Sequence, residues 1–159
     1  MKLAIVGLGG SYSDYIAARI RSEHFDEVWG INCVGGIIHV DKTIMMDPVS
    51  RFLDSDDAGS QTGIARKFLE KNTKPIITCE MDSRVKHLEL YPLEAVIKDL
   101  NVCYFNNTVP YAIAYAIYYG VKELCLYGLD YTYKNVSMAE AGRACTEFWC
   151  AIATTRGVK

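Results

Sequence analysis

Glycines and a serine follow the first apolar run of the chain, in an arrangement suited to binding phosphate. Lys2–Val6 leads directly into Gly7-Leu8-Gly9-Gly10-Ser11, and a helical pattern over Ser11–Arg21 follows. Phosphate binds to backbone N–H groups at helix N termini, and glycines let it approach because they carry no side chain. The Ser11 hydroxyl is a further donor. We therefore expect Gly7, Gly9, Gly10 and Ser11 to contact phosphate, the alternative being a tight strand-to-helix turn without ligand.

Two further polar residues follow strands that are predicted next along the chain. Asn32 follows Glu27–Ile31, and Asp47 follows the short apolar run Thr43–Met46. The Asn32 amide can both donate and accept, which suits a base, a ribose or a phosphate. The Asp47 carboxylate suits a ribose hydroxyl or Mg²⁺. Both residue types are also common in turns, so each residue has a structural alternative.

A second strand-to-helix junction is predicted at Asn107 and Thr108. These residues lie between a predicted strand, Val102–Phe105, and an apolar helix, Val109–Tyr119. Polar side chains at such a junction either bind the nucleotide or only cap the helix. The helix itself is either a core helix or one that partly faces a second subunit of a homo-oligomer.

The run Gly128-Leu129-Asp130-Tyr131-Thr132-Tyr133 follows the predicted strand Glu123–Tyr127. Asp130 and Tyr133 are the predicted catalytic residues, with Asp130 as a general base or a metal ligand. Tyr131 is predicted to contact the nucleotide through its ring or its hydroxyl. We expect Mg²⁺ as the cofactor, near Asp47 or Asp130. The alternative is a structural turn whose tyrosines cover the edge of the core.

The elements that hold these residues alternate between strand and helix. This alternation predicts one α/β domain over residues 1–159, a Rossmann-like three-layer sandwich with a mostly parallel sheet. Ligands bind such sheets at the carboxyl ends of the strands, where all of these residues lie. An amphipathic helix is predicted over residues 138–155. Val158 then begins another strand pattern, so we expect the sheet to lack its last strand because the sequence is truncated.

Composition limits the classes of partner. The 159 residues carry a net charge of −2, which argues against general nucleic-acid binding. The sequence has neither a signal peptide nor an 18-residue apolar span, so we expect a cytoplasmic protein without membrane contact. The six cysteines form no C-x-x-C pair, so we expect buried structural thiols rather than a zinc site. A small-molecule nucleotide is the expected partner.

The order of these junctions resembles a known group of families. The chain is similar to bacterial sialyltransferases that use CMP-sialic acid, and to the related Rossmann-like family of 6-hydroxymethylpterin diphosphokinase-like proteins. The most specific part is the helix–strand unit Tyr111–Tyr133. The resemblance implies that the Gly7–Ser11 loop contacts the donor phosphate, and that Asn32, Asn107 and Thr108 contact the nucleotide. Asp130, Tyr131 and Tyr133 would then border the reacting phosphate or sugar.

The leading expectation is therefore a transferase that uses a nucleotide or a nucleotide-sugar for phosphoryl, diphosphoryl or glycosyl transfer. The alternative is a non-catalytic nucleotide sensor or sequestering protein, which the lack of an obvious general base favours. A third interpretation is an NAD-dependent oxidoreductase. Asn32 counts against it, because NAD enzymes usually have an acidic residue at the end of the second strand.

Overall fold

The computed structural model describes residues 1–132 and 135–159. Its sheet contains six parallel strands: β1 (Lys2–Val6), β2 (Glu27–Ile31), β3 (Lys42–Met45), β4 (Ile76–Thr78), β5 (Leu88–Leu90) and β6 (Glu123–Tyr127). Their order is β5-β4-β3-β2-β1-β6. Strands of such a sheet are covered on both faces, which explains why most of them are short apolar runs. The predicted α/β sandwich is confirmed.

Helices cover the two faces of this sheet. They are α1 (Tyr12–Ile20), α2 (Val49–Asp54), α3 (Ser60–Lys71), α4 (Leu93–Leu100), α5 (Thr108–Tyr118) and α6 (Val136–Thr155), with a 3₁₀ turn at Asn32–Gly36. Side chains of β1 alternate between the faces. Ala4 and Val6 pack with α1, whereas Leu3 and Ile5 pack with α5 and α6. The helices α1 to α3 therefore lie on one face and α4 to α6 on the other.

The strand order creates a crossover point beside β1. The chain adds β2 to β5 on one side of β1 and then places β6 on the other side. Val6 is level with Gly30 of β2 and with Tyr127 of β6. The loops that follow these three strands therefore meet at one edge of the sheet. In open α/β sheets this crossover point is the usual position of a ligand cleft.

Two segments have a secondary structure that differs from the one that their sequences indicate. Residues 102–105, all of them described, form no strand. The Phe105 ring instead stacks on Tyr111 and Trp149, at centroid distances of 4.2 and 5.1 Å, and the Trp149 indole N–H donates to the Tyr104 carbonyl at 2.7 Å. These apolar residues cover the helices rather than pair with strands. Conversely, β5 lies within residues 80–91, which are polar enough in sequence to indicate irregular structure.

The last helix and the residues after it pack against the sheet and pair with β6. The buried side of α6 contains Gly142, Cys145, Thr146, Trp149 and Ala153. The backbone of Lys159 pairs with β6: its N–H donates to Lys122 at 3.0 Å, and its carbonyl accepts from Leu124 at 2.8 Å. This is the hydrogen-bond pattern of parallel strands, as expected of a strand that begins at Val158. No helix in the described parts of the chain is long and apolar enough to cross a membrane.

Candidate functional site

A cleft of about 440 Å³, here called the principal cleft, lies at the crossover point of the sheet. Its volume is in the range of small-molecule sites. Its walls come from the loops after β1, β2 and β6, from α3 and from the start of α5. The lining residues are Gly7, Leu8, Gly9, Ile31, Asn32, Cys33, Gln61, Ile64, Val109, Gly128, Leu129, Asp130, Tyr131 and Thr132. Of the predicted site residues, the cleft brings together Gly7, Gly9, Asn32, Asp130 and Tyr131.

The carboxylate of Asp130 occupies the N terminus of α1. One of its oxygens accepts from the Ser11 backbone N–H at 2.8 Å, and the other accepts from the Ser11 hydroxyl. The Ser11 Oγ also accepts from the Gly128 N–H at 3.1 Å, and it makes no capping bond within the helix. A helix N terminus attracts anions, and here the protein provides one from its own chain. The Asp130 carboxylate thus lies at the helix N terminus where the sequence predicts a phosphate.

Steric contact between two loops explains the glycines at positions 7 and 9. A Cβ on Gly7 would lie 2.7 Å from the Leu129 side chain, and one on Gly9 would lie 2.8 Å from the Gly128 carbonyl oxygen. Both would lie closer still to a second atom of the same loop. By contrast, a Cβ on Gly10 would meet only Asp130, at 3.9 Å. Gly7 and Gly9 are therefore required for loop packing, whether or not a phosphate binds.

Two backbone amides of the glycine loop remain open. Gly7 donates to the Tyr127 carbonyl and Gly9 to the Gly128 carbonyl, each at 2.8 Å. Within the described residues, the N–H groups of Leu8 and Gly10 have no hydrogen-bond acceptor. Leu8 and Gly10 are both exposed. This loop can therefore donate two hydrogen bonds to a ligand without losing any of its own.

Asn32 is the predicted residue with the clearest unmet bonding requirement. It begins the 3₁₀ turn with φ of 53°, a left-handed conformation that asparagine adopts more readily than most residues. Its Oδ1 atom is buried and has no hydrogen-bond partner among the described residues. Leaving a buried acceptor unpaired costs about 1–3 kcal/mol. Asn32 lines the principal cleft, so a rotation of its side chain would let a ligand N–H or O–H remove this cost.

Asn107 and Thr108 lie behind the cleft, and neither lines it. The Asn107 Oδ1 accepts from the Val109 N–H at 3.1 Å, which caps α5, and from the Tyr131 hydroxyl at 3.2 Å. The Tyr131 hydroxyl also bonds to Thr146 of α6. Thr108 is buried, with 8% of its surface exposed. In this arrangement the Asn107 side chain supports the loop that carries Tyr131.

Gly142 of α6 makes this contact possible. A Cβ there would lie 2.6 Å from the Tyr131 ring and 2.9 Å from the Asn107 amide nitrogen. Tyr131 itself has φ of 52°. This role of Gly142 could not be predicted from the sequence, because one glycine in a helix has many explanations.

The predicted metal ligands do not form a cluster. Asp47 pairs with Arg51 at 2.7 Å, one helical turn away, and Asp130 is bound to Ser11. The described residues contain no group of three or more histidine, cysteine, aspartate or glutamate side chains placed to hold a metal ion. Tyr133, the second predicted catalytic residue, lies outside the described residues.

Cys33 is one of the residues that line the principal cleft. Burial raises the pKa of its thiol to about 11, and the negative charge of Asp47 contributes to this increase. The thiol is therefore protonated at neutral pH and contributes an apolar surface. Asp47 itself does not line the principal cleft. Of the thiols that were expected to be buried, those of Cys79 and Cys103 are instead exposed.

Sequence reasoning missed Gln61 and Ile64 of α3. The run 54–63 contains three aspartates and two glycines, which indicated a mobile loop, whereas α3 begins at Ser60. Ile64 and Leu8 are 57% and 56% exposed, and both line the cleft from different elements. Two exposed apolar side chains at the opening of one cleft suit a flat ring. A helical spacing of Gln61, Ile64 and Phe68 was the available signal.

Comparison of the chain with protein-family models, with curated proteins and with solved structures finds no match.

Proposed function

We propose that the principal cleft binds a nucleotide or a nucleotide-activated donor, and that the protein is a transferase acting on it. The carrying observation is that Asn32, whose buried Oδ1 has no hydrogen-bond partner among the described residues, lines a cleft at the crossover point of a parallel sheet. The exposed side chains of Leu8 and Ile64 supply an apolar border for a base. The open amides of Leu8 and Gly10 supply donors for oxygen atoms.

Asp130 is the proposed base. Each carboxylate oxygen accepts one hydrogen bond from Ser11 and retains a further lone pair. Asp130 is exposed and lines the cleft, so these lone pairs are available to a ligand hydroxyl. Proton transfer from that hydroxyl to Asp130 would assist phosphoryl or glycosyl transfer.

Mg²⁺ is proposed as a cofactor that arrives with the nucleotide. Mg²⁺ is usually held by one or two carboxylates together with substrate phosphates, so it needs no cluster of protein ligands. The lone pairs of Asp130 fit this requirement. Bound there, Mg²⁺ would neutralise charge on phosphate oxygens.

The test of binding is a thermal-shift panel of CMP, CDP, CTP, ATP, GTP and UDP, each with and without Mg²⁺. A ligand at 100 times its Kd adds about 2.7 kcal/mol of stability, which raises the melting temperature by about 5–10 °C for a chain of this size. The site is assigned with Asn32→Gly, which removes the amide and keeps the left-handed backbone. We expect a three- to tenfold loss of affinity, the equivalent of one hydrogen bond.

Asn101→Gly is the matched control. Asn101 also has a left-handed backbone, with φ of 54°, but lies at the C terminus of α4. Its substitution is expected to leave nucleotide affinity unchanged. The proposal fails when no nucleotide stabilises the protein at millimolar concentration, or when both asparagine variants bind equally well.

Non-catalytic nucleotide binding is the second candidate function. It is favoured by the double hydrogen bond between Asp130 and Ser11, which gives Asp130 a structural role. Mass spectrometry of a bound nucleotide after hours of incubation separates the two candidates. A transferase releases product, with water as the default acceptor, and Asp130→Asn abolishes this release while binding persists. An intact nucleotide after incubation with the wild-type protein supports the non-catalytic candidate.

A further inference from the structure

A second cleft of about 460 Å³, here called the lysine groove, adjoins the principal cleft. One wall is Gly35-Gly36-Ile37, and the other is α3 with Lys67, Phe68 and Lys71. The two clefts are neighbours, since Cys33 and Ile64 line both of them. The two clefts together are here called the trough.

The two ends of this trough carry opposite charges. Asp130 lies at one end, at the N terminus of α1, with both carboxylate oxygens bound to Ser11. Lys67 and Lys71 line the other end, and both are exposed. Among the described residues, neither lysine has a carboxylate within 4.0 Å of its ammonium group. The positive charge that is available to a ligand in this trough therefore lies in the lysine groove.

We propose that the ligand phosphate binds in the lysine groove between Lys67 and Lys71, while the base and sugar lie in the principal cleft. This inference rests on the proposed function and specifies one ligand of the transfer, the one that binds without Mg²⁺ at Asp130: a nucleotide with a terminal phosphomonoester, such as a nucleoside monophosphate that is the acceptor or the product. The donor groups of the base or sugar then reach the unpartnered Asn32 Oδ1 and the Asp130 carboxylate. The orientation is the reverse of the one that the glycine loop predicts from the sequence.

Electrostatics favours this orientation over the reverse one. A phosphate at the N terminus of α1 would face the Asp130 carboxylate, a like charge that already uses the donors of Ser11. A phosphate in the lysine groove meets two ammonium groups on successive turns of one helix. Gly35 and Gly36 of the facing wall pack against Phe68, where a Cβ would lie 3.0 and 3.5 Å from its ring, so α3 and this wall lie close together beside the lysines. A neutral, donor-rich sugar or base is also the better partner for Asp130 and Asn32, since both present acceptors.

The test compares each monophosphate with its own nucleoside, AMP with adenosine and CMP with cytidine, in the wild-type protein and in Lys67→Ala/Lys71→Ala. We expect the wild type to bind the monophosphate ten- to a hundredfold more tightly than the nucleoside. In the double variant this preference disappears, while nucleoside affinity is unchanged. The preference also weakens in 1 M salt, where the screening length is about 3 Å.

Lys86→Ala/Lys98→Ala is the matched control, because both lysines are exposed and line neither cleft. It is expected to keep the wild-type preference, and thermal melting checks that both double variants fold. Retention of the phosphate preference in Lys67→Ala/Lys71→Ala overturns this inference and leaves the proposed function intact. Failure of the wild type to bind any monophosphate more tightly than its nucleoside likewise overturns the inference alone. Failure to bind any nucleotide of the thermal-shift panel refutes the proposed function, and the inference with it.

Discussion

The contact between the glycine loop and Asp130 predicts that two adjacent glycines respond oppositely to the same substitution. In Gly9→Ala, the new methyl group would overlap Asp130 Oδ2 and lie 2.8 Å from the Gly128 carbonyl oxygen. The two loops must then separate. In Gly10→Ala, the methyl group meets only Asp130 Oδ2, at 3.9 Å, which is an ordinary contact distance.

The expected magnitude follows from the hydrogen bonds at stake. Separation of the loops breaks four bonds: two between Ser11 and Asp130, one between Ser11 and Gly128, and one between Gly9 and Gly128. At about 0.5–0.75 kcal/mol for each of these exposed bonds, the loss is about 2–3 kcal/mol. Replacing glycine by alanine also restricts the unfolded chain, which returns about 0.4–1 kcal/mol. Gly9→Ala should therefore lose about 1–2.5 kcal/mol, whereas Gly10→Ala should gain about 0.4–1 kcal/mol.

Urea unfolding and thermal melting of both variants measure this difference. For a chain of this size, 1 kcal/mol corresponds to about 2–4 °C, so Gly9→Ala should melt about 2–10 °C below the wild type. Gly10→Ala should melt at or slightly above the wild-type temperature. Equal stability of the two variants would refute the reasoning, because it would mean that Asp130 does not occupy the N terminus of α1.

Three further perturbations test other parts of the structure by thermal melting. Gly142→Ala inserts a methyl group 2.6 Å from the Tyr131 ring. Overpacking costs about 1–3 kcal/mol, and the higher helix propensity of alanine offsets about 1 kcal/mol of this loss. The melting temperature should therefore fall by up to about 8 °C. Arg84 lowers the pKa of Asp82 to about 2, so the stability from this pair is present above about pH 4 and is lost as the pH falls to about 2. Between about pH 4 and pH 2, the Arg84→Met variant should therefore lose less stability than the wild type. Asp130→Ala frees the N terminus of α1, so sulfate should stabilise this variant more than the wild type at matched ionic strength.

The sheet was largely predictable from the sequence, and the errors in the prediction of its strands have a physical cause. β1 and β6 are apolar runs followed by glycine, and the structure begins and ends both at the predicted residues. β5 was missed because Leu88-Glu89-Leu90 is three residues long with a glutamate at its centre, and its outer edge is unpaired. Residues 102–105 were wrongly assigned to a strand because aromatic residues that cover a helix resemble a strand in sequence.

The candidate site was predictable only in part. The rule that ligands bind at the carboxyl ends of parallel strands correctly brought Gly9, Asn32 and Asp130 to one cleft. It did not reveal that Asn107 lies behind the cleft, because a helix cap and a ligand contact have the same sequence pattern. Nor did it reveal the hydrogen bonds between Ser11 and Asp130, since 119 residues separate the two in the chain.

The glycines of the first loop satisfy two different physical requirements at once, and this limits what the motif can indicate. Close packing against the loop after β6 demands glycine at positions 7 and 9, just as an approaching phosphate would. Glycine is therefore expected at both positions whether or not a phosphate binds there. What could distinguish the cases is the bonding that the protein leaves incomplete along the trough, which includes the Asn32 Oδ1 acceptor and the unpaired ammonium groups of Lys67 and Lys71. The proposed ligand, with donors at one end and an anion at the other, matches this polarity, and the comparison of monophosphate with nucleoside tests the orientation that the glycines do not determine.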